Sequence, residues 1–171
     1  MYQEELKIPR ERVPVLVGEK GSTKRKIQFK TKTKLKINST EGDVVIESED
    51  SLNILKSKDI IKAIGRGFNP DIALKLLDDD FSIEIMEIKD FTGKSKSRQI
   101  EQKARLIGTK GKARRLIEKM TNTDICVYGK TVCIIGNYNN VALARRAITC
   151  LLQGSKHGNV YKLIEKQKLK E

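Results

Sequence analysis

The chain has 171 residues, of which 35 are Lys or Arg and 22 Asp or Glu, for a formal net charge of +13. No stretch approaches the ~18 apolar residues of a membrane span, and the N-terminal MYQEELKIPR lacks the apolar core of a signal peptide. One His, no Trp and 5% aromatic residues leave little for imidazole chemistry or ring stacking, so the expectation is a folded cytoplasmic protein with a polyanionic partner.

In chain order, residues 6–8 read as a strand, followed by Gly18, Glu19, Lys20, Gly21 and a helix bearing Lys24, Arg25 and Lys26. Strands are expected around 34–38 and 43–47, then a helix over 54–64. Asn69 and Pro70 have the character of an N-cap and a first helical residue, opening a short connecting helix through Leu77. Phe81, Ile83 and Ile85 alternate with Ser82 and Glu84, a strand; Ile100, Ala104 and Ile107, spaced by four and three, predict a helix with that stripe inward. This helix runs into Gly108, Thr109, Lys110 and Gly111, and a further helix follows with Leu116, Ile117 and Met120 available to the core. Apolar runs at 125–128 and 132–135, joined by Gly129 and Lys130, predict a hairpin that sets Cys126 opposite Cys133. Val141, Ala144, Ile148 and Leu151 form another helical stripe that stops before Gly154, and Val160, Leu163 and Ile164 support a terminal helix leading into a Lys-rich tail.

The two halves repeat one another at a shift of 90. Gly18, Lys20 and Gly21 fall on Gly108, Lys110 and Gly111; Arg25, Ile27, Thr31 and Thr33 fall on Arg115, Ile117, Thr121 and Thr123; Leu35 and Ile37 meet Ile125 and Val127. A period of that length marks duplicated domains, because solenoid units run roughly 20–50 residues. Charge follows the repeat. Residues 1–36 hold 11 basic and 4 acidic groups, residues 37–80 hold 5 and 10, and residues 81–171 hold 19 and 8. Positive charge is therefore concentrated around two GxxG loops, with an acidic segment between them.

Each half has the order strand, helix, GxxG, helix, strand, strand, helix, which resembles the type I KH domain. KH modules bind RNA or single-stranded DNA, their GxxG loop clamping about four backbone nucleotides. Glycines let a sugar-phosphate backbone approach the main chain, and the amides opening the following helix present donors and a positive dipole end to phosphate. By this resemblance the fold is α+β, two tandem KH domains over residues 1–67 and 81–155. A helical connector spans 68–80, and a C-terminal helix with a basic tail spans 156–171. The second copy is the principal candidate. Gly108, Thr109, Lys110 and Gly111 would hold the backbone; Lys112, Arg114 and Arg115 would supply phosphate charge; Ile107, Ile125 and Val127 would shape the base groove; and Arg98 would add a contact. Gly18, Glu19, Lys20, Gly21, Lys24 and Arg25 form a second candidate site. The acid at Glu19 leaves it open whether this copy meets RNA or protein.

The segments IGRGFNPDIALKLLDDD at 64–80, the stretch from RQIEQKARLIGTKG to ITCLLQGS at 98–155, and HGNVYKLIE at 157–165 are similar to the archaeal two-KH ribosome-assembly proteins related to the eukaryotic "partner of Nob". That resemblance implies a monomeric, non-catalytic factor without cofactor or metal, binding single-stranded RNA at the 3′ end of small-subunit rRNA. It also implies association with the Nob endonuclease and with the alpha subunit of translation initiation factor two. Eukaryotic members usually have a degraded first GxxG, whereas this chain keeps GEKG.

Rival readings are weaker. A KH subunit of another RNA machine, such as an exosome cap, normally adds an OB or S1-type barrel for which this chain has no room. A metal-dependent nuclease needs paired carboxylates or a His cluster. Asp78, Asp79 and Asp80 are adjacent, and three neighbouring side chains do not converge on one ion in an ordinary turn. Gly93, Lys94 and Ser95 sit where a phosphate-binding loop would end, but its first glycine position is Ile88. Cys126, Cys133 and Cys150 lack metal-type spacing and fit a reducing compartment, and His157 is expected to be structural.

Overall fold

In the computed structural model, which describes residues 1–171, each half of the chain builds one three-stranded sheet and lays helices against it. The division falls between Met1–Phe81 and Ser82–Glu171.

The first unit runs β1 (Tyr2–Lys7), a 3₁₀ turn at Arg10–Arg12, α1 (Val13–Val17), a second 3₁₀ turn at Glu19–Gly21, α2 (Ser22–Thr31), β2 (Lys34–Asn38), β3 (Asp43–Ser48) and α3 (Ser51–Gly65). The sheet order is β1-β3-β2, antiparallel throughout. In β3, Val44, Ile46 and Ser48 are buried while Asp43, Val45 and Glu47 are at least partly exposed, the period-2 alternation of a sheet covered on one face. The outer face is charged: Lys36 pairs with Glu47 at 2.9 Å across the strands. α3 starts where the Asp50 carboxylate accepts the Leu52 amide, and it buries Ile54, Ile60, Ile61 and Ile64. Arg12 clamps the two ends of the unit, donating from Nε to the Ile64 carbonyl and from Nη2 to the Phe68 carbonyl, both at 2.8 Å.

Asn69 caps α4 (Pro70–Ala73) through the Ile72 amide, and a 3₁₀ turn at Leu74–Leu77 completes the expected connector. It belongs with the first unit: Lys56 donates to the Leu77 carbonyl at 3.1 Å and pairs with Asp79 at 2.6 Å. Asp78 accepts the Asp80 amide, so the acidic run is occupied by a turn and an ion pair.

The second unit comprises β4 (Phe81–Glu87), α5 (Lys89–Thr92), α6 (Lys96–Ile107), a 3₁₀ turn at Thr109–Gly111, α7 (Lys112–Thr121), β5 (Asp124–Tyr128), β6 (Thr131–Asn137), α8 (Tyr138–Leu152) and α9 (His157–Leu169). Its sheet repeats the first in order, β4-β6-β5, and the β5–β6 register places Cys126 opposite Cys133. The core gathers Leu106, Ile117, Ile125, Ile134, Ala144 and Ile148. α9 buries Val160 and Ile164. At its start the Arg105 guanidinium donates to the carbonyls of Leu151 and Ser155, and His157 Nε2 lies 2.8 Å from the Arg105 carbonyl. His157 thus ties α9 to the end of α6.

Two helix faces differ from the sequence reading. In α6 the buried residues are Gln102 and Leu106, while Ile100 is 68% exposed and Ile107 half-buried. In α7 Ala113, Ile117 and Thr121 face inward and Leu116 turns outward. The expected stripe of α6 faces a groove and not the core. The short α5 is also additional, interposed between β4 and the loop at Gly93. No helix is long and apolar enough to cross a membrane.

Candidate nucleic-acid interface

The two GxxG loops have the same backbone. Gly18 and Gly108 share φ of 74° with ψ of 174° and 175°; Lys20 and Lys110 lie at φ of 52° and 55°; Gly21 and Gly111 at 78° and 76°. Left-handed φ at a lysine is uncommon and costs energy that the surrounding fold must offset. It places Lys20 and Lys110 at the exposed apex of each loop. Gly108 is fixed by crowding as well as by φ: a Cβ there would meet the Ala113 amide nitrogen and Cβ at 2.8 Å. Gly18 meets Thr23 N in the same way at 2.7 Å. The chain thus packs the loop entry against the first turn of the next helix. α2 and α7 both start without a side-chain cap; their first amides, Ser22 and Lys112, donate to the Glu19 and Thr109 carbonyls of their own loops.

Behind each loop an identical buried hydroxyl cluster locks helix to strand. Thr121 Oγ1 donates to the Ile117 carbonyl at 2.7 Å and meets Thr123 Oγ1 at 2.8 Å; Thr31, Ile27 and Thr33 do the same at 2.6 and 2.7 Å. A second link reaches the next strand. The Leu35 amide donates to Gln28 Oε1, and the Ile125 amide donates to Glu118 Oε2, the position equivalent by the repeat.

A groove of about 320 Å³ in the second unit is lined by Ile107, Arg114, Ile125, Cys126 and Val127. The three apolar residues expected to shape a base groove therefore meet in one place, immediately beside the GTKG turn. Arg114 is also there, but its guanidinium is committed. Nη1 pairs with Glu118 at 2.7 Å and donates to the Ile125 carbonyl at 3.1 Å. It forms a polar wall of the groove, held there through Nη1. Thr109, Lys110, Lys112 and Arg115 are exposed around the loop.

The first loop differs in chemistry. Glu19 replaces Thr109, and Arg25 Nη1 folds back to donate to the Lys20 carbonyl at 2.6 Å, so one of its expected phosphate cations is bound to the loop itself. Lys24 stands in Arg114's place, and Gln28 in that of Glu118. Arg98 is remote from the second groove's wall. Two residues from Lys96 on an α-helix is a turn of about 200°, so Arg98 lines up with the core-facing Gln102 and not with Ile107.

Two three-stranded sheets, each with a glycine-bounded loop between paired helices and an apolar groove beside the better-charged loop, define a tandem type I KH protein. A family model described as a eukaryotic-type (type I) KH domain, the second of PNO1, matches residues 82–169, and a KH-domain model matches residues 3–64. The chain is 42% identical over 169 residues to a KH domain-containing protein of Methanocaldococcus jannaschii, covering 96% of this chain and 74% of that one. It is 38% identical over 128 residues to the RNA-binding protein pno1 of Drosophila pseudoobscura pseudoobscura, covering 74% of this chain and 54% of that protein, so it spans about half of this eukaryotic relative. Among solved structures it is similar to a chain of an a/eIF2alpha–aDim2p–rRNA complex from Pyrococcus horikoshii, at a TM-score of 0.91, 42% identity, and coverage of 99% and 96%. The chain belongs to the PNO1/Dim2 family of rRNA-processing, RNA-binding KH proteins.

Proposed function

We propose that the protein is a non-catalytic, cytoplasmic factor in small-subunit maturation that grips single-stranded RNA at the 3′ end of small-subunit rRNA, mainly through its second KH domain. The observation that carries this reading is the convergence of GTKG, its uncapped helix and the groove of Ile107, Arg114, Ile125 and Val127 in one continuous site. Phosphates would lie on the loop and the first turn of α7, with Lys110, Lys112 and Arg115 supplying charge, while bases enter the groove against aliphatic walls. Clamping about four nucleotides fits the size of such a site. The alpha subunit of translation initiation factor two and the Nob endonuclease are the protein partners this family membership suggests, and a monomer suffices because the groove is built within one unit.

Changing Thr109 and Lys110 together to Asp sets repulsion against the phosphates on an exposed loop. RNA affinity, measured by fluorescence anisotropy at moderate salt, is expected to fall at least about tenfold, which is ~1.4 kcal/mol, with an unchanged circular dichroism spectrum. Unaltered affinity overturns the assignment. The matching Lys20→Asp change, made beside Glu19, is expected to reduce affinity far less, since Arg25 is already folded back onto that loop.

A further inference from the structure

One aromatic side chain of the first unit belongs to no core and no groove: Phe29 of α2 is 85% exposed. α2 buries Ile27 and Thr31. Two residues on from Ile27 is a turn of about 200°, so Phe29 points directly away from the core that α2 covers. The contacts of its neighbours fix both flanks of the helix. On one, Gln28 accepts the Leu35 amide at 2.8 Å, and Lys24, which shares that flank at i,i+4 and replaces the groove-lining Arg114, turns toward β2 with it. On the other, Lys26 pairs with Asp71 of α4 at 3.9 Å and faces the connector. Phe29 stands between these flanks, on the outward stripe that runs from the loop-bound Arg25. The repeat puts Lys119 at the same place in the second unit, so this fold has no packing need for a ring there.

We propose that the outer face of α2 is an RNA contact separate from the KH grooves: a base of folded RNA, outside the strand held at GTKG, stacks on Phe29 while Lys30 and Lys32 hold the phosphates beside it. The proposal rests on the RNA-binding reading above for its class of ligand, and on no part of the groove. Charge selects a polyanion, because residues 22–34 carry six basic groups and no acidic one. Between RNA and an acidic protein segment, the surroundings of the ring decide. An aromatic anchor in a protein interface is desolvated at the centre of a well-packed patch. The residues three and four positions from Phe29 are Arg25, Lys26, Lys32 and Thr33, none of them apolar, so no such patch can form around it. A base needs only one flat face of the ring, and it leaves the surrounding cations in place to meet its phosphates. Lys30 and Lys32 are the exposed cations suited to this, since Lys26 is shared with Asp71 and Arg25 with its own loop.

The test uses the full chain. It contains no Trp, so Phe29→Trp introduces a single indole at the site. This variant is titrated with the tightest-binding tetranucleotide from the 3′-terminal segment of small-subunit rRNA, with a transcript of about 100 nucleotides ending at the same 3′ end, and with polyglutamate. The transcript is expected to quench the indole strongly and the tetranucleotide, at saturation, to leave it unchanged. Phe29→Ala is expected to weaken transcript binding at least about fivefold, the loss of one stacked base, with tetranucleotide affinity unaltered, and Phe29→Tyr to keep both. Lys30→Gln with Lys32→Gln lowers the log–log salt slope for the transcript by about 1.4, two contacts at ~0.7 each. The proposal is overturned by unchanged transcript affinity in Phe29→Ala, or by polyglutamate quenching the indole as fully as the transcript does, which assigns the face to an acidic protein. Tetranucleotide binding that persists in either case leaves the KH reading standing alone. A wild-type chain that binds neither RNA removes both.

Discussion

Gly108 and Gly111 both hold positive φ, yet they answer different demands. At Gly111 a Cβ would find only the flexible ends of Arg114 and Arg115, at 3.5 Å or more. At Gly108 it would strike the backbone and Cβ of Ala113 at 2.8 Å, atoms that belong to the first turn of α7 and cannot swing away. Gly111→Ala should therefore cost only the left-handed penalty, about 1–2 kcal/mol. Gly108→Ala adds displacement of the helix start and should cost on the order of 3 kcal/mol. Urea unfolding of the two variants distinguishes these costs, and equal losses would mean that Ala113 gives way more easily than its position suggests. Lys110, at φ 55°, is the non-glycine residue of this loop with a left-handed backbone. Its backbone strain lifts a single ammonium to the loop apex, and the glycines on either side make that turn accessible.

At the level of elements, the link between α7 and β5 is what turns a loop into a site. Glu118 accepts the Ile125 amide through one oxygen and Arg114 through the other, so one carboxylate sets both the strand position and the polar wall of the groove. The first unit shows which half of this is structural, because Gln28 alone performs the strand bond to Leu35. Glu118→Gln keeps an acceptor for both the Ile125 amide and the half-buried Arg114 and should consequently cost only about 1 kcal/mol. Glu118→Ala, which leaves the Ile125 amide without its acceptor, should cost about 1–3 kcal/mol. Thermal unfolding of both variants checks the ranking; an equal loss would assign the energy to the Arg114 pair. Such links also mark where the sequence was readable and where it was not. The duplicated glycines, the cap at Asn69, the Gly129 turn and the opposition of Cys126 to Cys133 depend on neighbours in sequence or on strand register, and all could be anticipated; the Asp50 cap, which starts α3 at Ser51 and not near Ile54, was not. Ile107, Ile125 and Val127 could be placed in a groove because they flank the loop in a recurrent order. The inward stripe of α6 could not. Ile100 and Ile107 satisfy helical periodicity as well as Gln102 and Leu106 do, and only the packing of α7 and α8 decides which face is covered. The pairing of Arg114 with Glu118 is signalled by i,i+4 spacing, but an arginine beside a GxxG loop reads first as a phosphate cation.

Over the whole molecule, duplication has produced two scaffolds with one backbone and unequal surfaces. The loop angles agree within a few degrees, the threonine clusters coincide, and the differences reside in side chains at the loop and the helix after it: Glu19 for Thr109, an Arg25 folded back onto its loop, Lys24 for Arg114. Of the basic groups, 19 fall in residues 81–171 against 8 acidic ones, so the field that attracts a polyanion is strongest over the better groove. The acidic stretch at 37–80 carries the opposite sign, and its Asp79 is paired with Lys56. Affinity and orientation are thus separable properties, one set by the apolar groove and the other by where charge has accumulated.

The tethered hairpin turn has a kinetic meaning. With the Gly129 carbonyl held by Lys103 and the Lys130 carbonyl held by the Ile88 amide, the wall of the groove is already in position before any strand arrives. No ordering step then separates encounter from capture, and the rate of capture is left to diffusion in the protein's field. Stopped-flow mixing with a short RNA should give an observed rate that rises linearly with concentration and an association constant that drops steeply with added salt, while dissociation changes less than about threefold. A rate that saturates with RNA would instead reveal a turn that closes after contact. A groove that does not need to close also does not need to open, and a factor that must hand over its RNA at the end of assembly would then depend on competition for the strand and not on a motion of its own.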